Sequence, residues 1–387
     1  MSTRLLVRLH VVLAALWNRL LTVGRRRPRN VVRRVLVTHH PQMIGDLLLL
    51  TPLLAKLRER YPSAEIVVTT SRASAALYQR RPFGVTAVPY VPREHKTLRH
   101  LLRLGGFDLA IVPGDNRYGW LALALDARWI VGFDGDTPTY KNWGFDELSP
   151  YPDTPATWGE LAATLIPGPP SGPYHPDDWP APSCKPFVRP PTPYCVLHVG
   201  ASTPLKLWPA ERWRLLADLL KQRGMHVVWS GGPGEESLVA QIDPRQDHYS
   251  MVGRLDLAQL WQLLAGASLL VCPDTSAAHL GRLTGTPTVA LFGPGSPTIC
   301  GAGEYWRNSP FRAVTDANFA CRDRQTLFGR HIHWLRRCGR LPSQCATPGA
   351  CMAAISLDAV SDAIDDLLHT RLNEAQGIDR TKTTRSK

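Results

Sequence analysis

Val271-Cys272-Pro273-Asp274-Thr275-Ser276-Ala277-Ala278-His279-Leu280 is the stretch on which the fold turns. It closes a short apolar run that begins at Ala267 and reads as a buried parallel strand. Asp274, Thr275 and Ser276 then stand where a helix should start, and these residue types cap helix N-termini. A strand feeding a capped helix aims free backbone N–H groups and a positive dipole end at the strand's carboxyl edge, a geometry that receives phosphate. Two further loops follow strands of the same kind: Ser230-Gly231-Gly232-Pro233-Gly234-Glu235 and Leu291-Phe292-Gly293-Pro294-Gly295-Ser296-Pro297. Ligands of open α/β sheets sit outside the carboxyl ends of the strands, so three such junctions in one domain converge on a phosphorylated ligand.

Working outward, strand patterns alternate with helical ones throughout. Tyr194–Val199, Met225–Trp229, Tyr249–Val252, Ala267–Val271, Pro287–Leu291 and Phe311–Val314 are strand-like, with helices predicted over 210–223, up to Gln241, and over 256–265. Upstream, Arg34–Thr38, Ile66–Thr70, Val85–Val88, Leu109–Val112 and Trp129–Gly132 repeat the pattern, with an amphipathic helix over 47–60 carrying Pro52 in its early turns. Between the halves, residues 167–193 are crowded with proline and read as a linker or a loop wrapped over a surface. Alternation of this kind gives parallel sheets with helices on both faces. The expected organisation is a Rossmann-like acceptor domain over 34–166, the linker over 167–193, and a Rossmann-like nucleotide-sugar domain over 194–355. A helix over 356–372 and a basic tail over 373–387 complete the chain.

The formal charge of +13 suggests nucleic acid until it is located. Residues 1–34 hold nine arginines and no acid, residues 369–387 carry +3, and the body between is almost neutral. A neutral body argues against a nucleic-acid-binding fold and for a basic tether at each end. Segment 1–33 is too interrupted and too short to span a bilayer, and its arginines follow the apolar run, the wrong order for a signal peptide. Leu5, Leu9, Val12, Leu16 and Leu20 share one helical face, so an in-plane membrane-surface helix is expected, with Arg25–Arg27, Arg29, Arg33 and Arg34 on acidic headgroups. An ordinary core-capping helix with a basic linker is the alternative. Cys184, Cys195, Cys272 and Cys300 read as reduced core residues. Cys321, Cys338, Cys345 and Cys351 lack the paired spacing of a zinc site, and no metal or cofactor is expected.

The motifs, taken together, resemble the ADP-heptose:lipopolysaccharide heptosyltransferases of glycosyltransferase family 9. In order, they are Ile44-Gly45-Asp46 with Thr51-Pro52-Leu53, His198-Val199-Gly200-Ala201-Ser202 with Lys206-Leu207-Trp208-Pro209, the 230–235 loop, Gly253-Arg254-Leu255-Asp256-Leu257, the 273–279 stretch, the 291–294 loop, and Cys351-Met352-Ala353-Ala354-Ile355. The resemblance covers residues 34–368. It implies the GT-B fold and an inverting, metal-independent transfer of heptose from ADP-heptose to the lipopolysaccharide inner core, at the cytoplasmic face of the inner membrane. Asp46 is then the base that takes the acceptor's proton, where otherwise it would cap a helix beginning at Leu47. Lys206 resembles the family's phosphate-binding lysine, and a leaving diphosphate without a metal needs such a cation. Thr275 and Ser276 suit the diphosphate, although the family often carries Gly where Ser276 stands, and Asp274 suits a heptose hydroxyl. His279 lies one turn beyond Thr275 on the same face. Ser202 and Thr203 offer hydroxyls to phosphate, and Glu235, or its neighbour Glu236, is placed to hold the ribose. By resemblance, Met251 and Gly253 lie in the stretch that wraps adenine, and the final helix crosses back onto the first domain.

Residues 318–344 are rich in Arg and His and longer than the family's usual loop. A basic flap that takes acceptor phosphates or Kdo carboxylates is expected, with Arg322, Arg324 and Arg330 as its ligands, against the alternative of a solvated insertion. Two competing functions are the same chemistry on another nucleotide sugar or surface glycan, and a sugar-nucleotide-binding scaffold without turnover. The second fits poorly with a chain that keeps Asp46, Lys206, Asp274 and His279 together.

Overall fold

The computed structural model describes residues 3–22 and 26–375. Arg25 and the tail over 376–387 lie outside the described residues. Two six-stranded parallel sheets carry the chain. The first holds β1 Arg34–Val37, β2 Glu65–Thr70, β3 Val85–Pro89, β4 Leu109–Val112, β5 Ile130–Phe133 and β6 Glu147–Ser149, in the order β3-β2-β1-β4-β5-β6. The second holds β7 Tyr194–His198, β8 His226–Ser230, β9 Tyr249–Ser250, β10 Leu269–Pro273, β11 Thr288–Leu291 and β12 Phe311–Val314, in the order β12-β11-β10-β7-β8-β9. Counted from its own first strand, each sheet runs 3-2-1-4-5-6, the doubly wound order. The central strands are apolar on both faces because helices cover both, and Val35, Leu36, Val37, Leu269, Leu270 and Val271 are all fully buried.

Strand order reverses between β1 and β4 in one sheet and between β7 and β10 in the other, where Val35 pairs with Leu109 and Leu270 with Val196. The loops leaving these switch points carry Asp46, Lys206 and Asp274, so topology alone brings the three toward one crevice.

Several sequence expectations need adjustment. The helix expected over 47–60 is two helices, Ile44–Leu49 and Thr51–Arg60, because Pro52 has no N–H to continue the first and opens the second. Strand β6 has no apolar alternation and shows only in the structure. The N-terminal helix Thr3–Leu21 rests on the helix Arg117–Ala124 through Val7, Val11 and Ala15, and Asn18 Nδ2 donates to the Leu123 carbonyl at 2.9 Å. The face of Leu5, Leu9, Val12, Leu16 and Leu20 points outward, away from the first domain. Half of the arginines expected on headgroups are spent on the protein: Arg26 Nε pairs with Asp146 at 2.6 Å, Arg29 with Asp108 at 3.0 Å and Arg34 with Glu65 at 2.8 Å. They strap the helix and its linker to the first domain.

The final helix, Leu357–Ala375, does not cross to the first domain. It packs on β11, β12 and the helix Ala210–Gln222, and Val360, Ile364 and Leu367 share a core with Leu197, Trp213 and Val289. Arg312 and Arg223 hold it there through Asp366 and Asp365, at 2.6 and 2.5 Å. Residues 373–375 continue this helix, where the tail was expected to begin. The proline-rich segment joins the domains instead. Trp179 stacks between Tyr78 of the first domain and Trp261 of the second, with centroids 4.8 and 5.8 Å away, and its indole donates to the Leu77 carbonyl at 3.0 Å. Tyr174, also buried, donates to the Leu283 carbonyl at 2.9 Å. These four aromatic groups make an apolar seam between the domains.

Candidate active site

Across the front of the molecule lies a cavity of about 550 Å³ lined from three sides. Met43, Asp46 and Trp158 come from the first domain; Thr203, Lys206, Asp274, Gly295 and Ser296 come from the second; Phe328 and Arg337 to Pro342 come from the 318–344 segment.

Asp46 sits in the first turn of the helix Ile44–Leu49, not ahead of it, and its carboxylate has no hydrogen bond or ion pair among the described residues. Its helix is capped by neither Asp46 nor the Met43 side chain, so capping does not account for the carboxylate. Burial pushes its pKa up to about 6, with the negative charge of Asp274 adding to the rise and Lys206 and Arg337 opposing it. Gly45 explains how that helix comes so near the second domain. A Cβ there would lie 3.1 Å from His279 Cδ2 and 3.9 Å from Ser276 Cα. The first turns of the helices Ile44–Leu49 and Ser276–Thr284 therefore abut at this glycine.

Lys206 Nζ, at the end of the short turn Pro204–Lys206, donates to the Asp274 carbonyl at 2.7 Å and to its carboxylate at 2.9 Å. The pair closes the start of the helix Ser276–Thr284. Thr275 occupies the cap position of that helix, yet its hydroxyl makes no capping bond and is buried without a partner. His279 Nδ1 and Ser296 Oγ are also buried and unpartnered. Buried polar atoms are nearly always satisfied, so three orphans around one helix N-terminus mark a place that a polar ligand completes. Burial, with Arg282 and Lys206 nearby, holds the His279 imidazole well below its usual pKa, and it is neutral.

Other expected residues fall elsewhere. Thr203 lines the cavity, and Ser202 beside it is exposed. Glu235 accepts from the Ala201 N–H at 2.9 Å and the Gly232 N–H at 2.5 Å, so its two oxygens brace the loops after β7 and β8. Glu236 lies against Gly253.

The three flap arginines need correction. Arg330 is buried, and every nitrogen of its guanidinium is bonded: Nε to the Asp134 carbonyl at 2.7 Å, Nη1 to Gly114 at 2.9 Å, Nη2 to Asn116 Oδ1 at 2.7 Å and to Phe133 at 2.9 Å. These partners end β4 and β5, so Arg330 is a peg driven into the first domain. Arg322 is buried against Gly295 and Asp316, and its bonds fix the base of the flap to the second domain. Arg324 is exposed and absent from the cavity lining. Sequence reasoning missed Arg337, which does line the cavity, and Ser296, which the Gly295-Ser296-Pro297 loop had offered. Among the described residues no group of three or more His, Cys, Asp or Glu side chains is arranged to hold a metal, and the four clustered cysteines are free thiols.

Two nucleotide-type folds facing across such a crevice define the GT-B architecture. The solved structure of E. coli ADP-heptose lipopolysaccharide heptosyltransferase II shares it, with a TM-score of 0.64, 20% identity, and coverage of 88% of this chain and 99% of that one. The E. coli heptosyltransferase solved with ADP gives 0.61 at 18% identity, covering 86% and 99%. The model of glycosyltransferase family 9 (heptosyltransferase) matches residues 96–330, more than half of the chain, and the protein belongs to that family. Lipopolysaccharide heptosyltransferase 1 of Salmonella typhimurium is 30% identical over 143 residues, 36% of this chain and 44% of that protein. The chain thus spans less than half the length of this curated relative.

Proposed function

We propose that the protein transfers heptose from ADP-heptose to the inner core of lipopolysaccharide in a single inverting displacement. The acceptor hydroxyl attacks the anomeric carbon while its proton passes to Asp46. The bond from that carbon to the diphosphate breaks, and ADP departs. Lys206 and the N–H groups opening the helix Ser276–Thr284 take up the charge that grows on the leaving diphosphate, the role a divalent cation fills elsewhere. Thr275, Ser296 and His279 supply donors and acceptors to the donor's diphosphate and sugar. Asp274 orients Lys206 and offers its second oxygen to a sugar hydroxyl.

One observation carries this: Asp46, a carboxylate with a raised pKa and no partner, shares a cavity with a lysine-gated helix N-terminus. Such a carboxylate is deprotonated at neutral pH yet basic enough to accept a proton. ADP as the nucleotide rests on the family and on the relatives whose names specify ADP-heptose.

We infer that the reaction takes place at the cytoplasmic face of the membrane, and the N-terminal region supports this reading. No described helix is long and apolar enough to cross a membrane. The helix Thr3–Leu21 presents Leu5, Leu9, Leu13, Leu16, Trp17 and Leu20 to solvent. Beside it, the helix His95–Leu104 exposes Lys96, Arg99, His100 and Arg103, and the His10 and His95 rings meet at 5.7 Å. An apolar ridge flanked by a basic helix suits an anionic lipid surface better than the arginine linker does. Incubation with ADP-heptose and a heptose-deficient core tests the proposal. Transfer is expected with ADP-heptose, and a preference for GDP- or UDP-sugars would reverse the choice of donor.

A further inference from the structure

The cations around the cavity are unequally matched. Lys206 is neutralised by Asp274, and Arg340 is held by both oxygens of Asp323, at 2.8 Å each. Arg337 alone among the described lining cations has no carboxylate within ion-pair reach; the single bond of its guanidinium is from Nε to the Cys338 carbonyl at 3.4 Å. A half-buried guanidinium with no carboxylate of its own is open to a ligand anion.

Its position is fixed from both domains. The 318–344 flap leaves the second domain after β12, and Arg322 and the Cys338 N–H tie it to Gly295 and Pro294, at 2.7 and 2.9 Å. A two-stranded hairpin, β13 Thr326–Leu327 and β14 Arg330–His331, then drives Arg330 into the first domain. Phe328 stacks on Trp158 with centroids 5.2 Å apart, and the Trp334 indole donates to the Pro152 carbonyl at 3.2 Å. The flap bridges the crevice as a roof, and Arg337 lines the same cavity as Asp46, whose carboxylate feels its charge.

We propose that Arg337 binds a carboxylate or phosphate on the acceptor sugar and thereby sets the attacking hydroxyl against Asp46. This rests on the reading that the acceptor enters on the Asp46 side. The donor's diphosphate already has its own partners in Lys206, Thr275, Ser296 and the helix N-terminus, all on the second domain. A guanidinium grips either oxyanion with two parallel bonds, which fixes orientation as well as position. The roof also means that an acceptor reaches Asp46 beneath the flap, not across the open face of the first domain.

The test compares wild type, Arg337→Lys and Arg337→Gln with ADP-heptose and heptose-deficient core. The core is used untreated, dephosphorylated, or with its carboxylates methyl-esterified. Calorimetry with ADP and thermal melting run alongside. In Arg337→Gln the acceptor KM should rise by roughly 10–100-fold, the loss of one charge-assisted bidentate contact. ADP affinity should stay within about twofold, and Lys should rescue part of the loss. Whichever treatment of the acceptor reproduces the loss in wild type, and adds nothing in the Gln variant, identifies the anion. The acid limb of the rate should also move to higher pH in Arg337→Gln. Asp46 then loses one of the two cations that favour its charged form, while Asp274, Lys206, neutral His279 and the Cys300 thiol around it are unchanged. An unaltered acceptor KM, or a loss of ADP affinity in its place, overturns the inference. Absence of transfer by wild type would instead overturn the parent function, and this assignment with it.

Discussion

The two domains share one strand order and bring opposite chemistry to the crevice between them. The first offers a single carboxylate, Asp46, on a helix of two turns, with no hydrogen bond and a pKa pushed up to about 6. The second offers a lysine already paired with an aspartate, a helix N-terminus and three orphaned polar atoms. A doubly wound sheet fixes where a site forms, at the switch point of each sheet, and leaves its chemistry to the loop residues. Here one fold used twice gives a proton acceptor on one side and an anion cradle on the other.

That contrast can be broken from either side. Asp46→Asn should cost the most, a fall of about 10²–10⁴-fold in transfer rate, with ADP affinity intact because the donor's partners belong to the other domain. The same variant should gain stability at high pH. The folded pKa of Asp46 lies near 6, above its unfolded 3.8, so its stabilising effect is fully present below pH 3.8 and is lost as pH rises through 6. Asn removes that loss, and thermal melting should show Asp46→Asn above wild type at pH 8 and level with it at pH 3.5. Lys206→Met should cost about 10²–10³-fold in rate, and unlike the Asp46 variant it should also weaken ADP binding by calorimetry. It leaves Asp274 buried beside Asp46 without its cation, which sharpens the difference between the two sides.

A smaller effect separates two arginines of the flap. Arg330→Met strips the peg from four acceptors at the ends of β4 and β5 and should destabilise by about 2–4 kcal/mol in denaturant unfolding. Arg324→Ala should change neither stability nor rate by more than about twofold, since that side chain is exposed and unbonded to any acid.

What the sequence made legible follows the range of the signals. The loop after β10 was readable because an apolar run, a capping residue type and a helical period stand within ten residues of each other. The same holds for Lys206, anchored by the turn before Trp208. Arg337 was not readable. It is one of several basic residues in a segment without periodicity, and its placement depends on Arg330 reaching carbonyls some 200 residues away, at Gly114 and Phe133. Glu235 follows a glycine-rich loop as a ribose ligand would, while its bond to the distant Ala201 N–H was not readable from that local signal. On the N-terminal helix two apolar stripes compete. The structure buries the one with Ala15, whose small side chain lets the helix settle against Arg117–Ala124, and leaves the leucine stripe outside. Periodicity names an apolar face but not which of two will be covered. The final helix likewise could not announce its partner, since the acids that hold it to Arg223 and Arg312 look like any solvated face.

The dependence of kcat/KM on pH tests the role of Asp46 most directly, because it reports the essential groups of the form of the protein that meets the acceptor. With ADP-heptose held saturating and the core acceptor varied, kcat/KM should be level from pH 7 to 8 and should fall tenfold per unit below about 6, as Asp46 takes up its proton. A profile that stays flat down to pH 4.5 would show that no carboxylate of raised pKa accepts the proton, and would contradict the account.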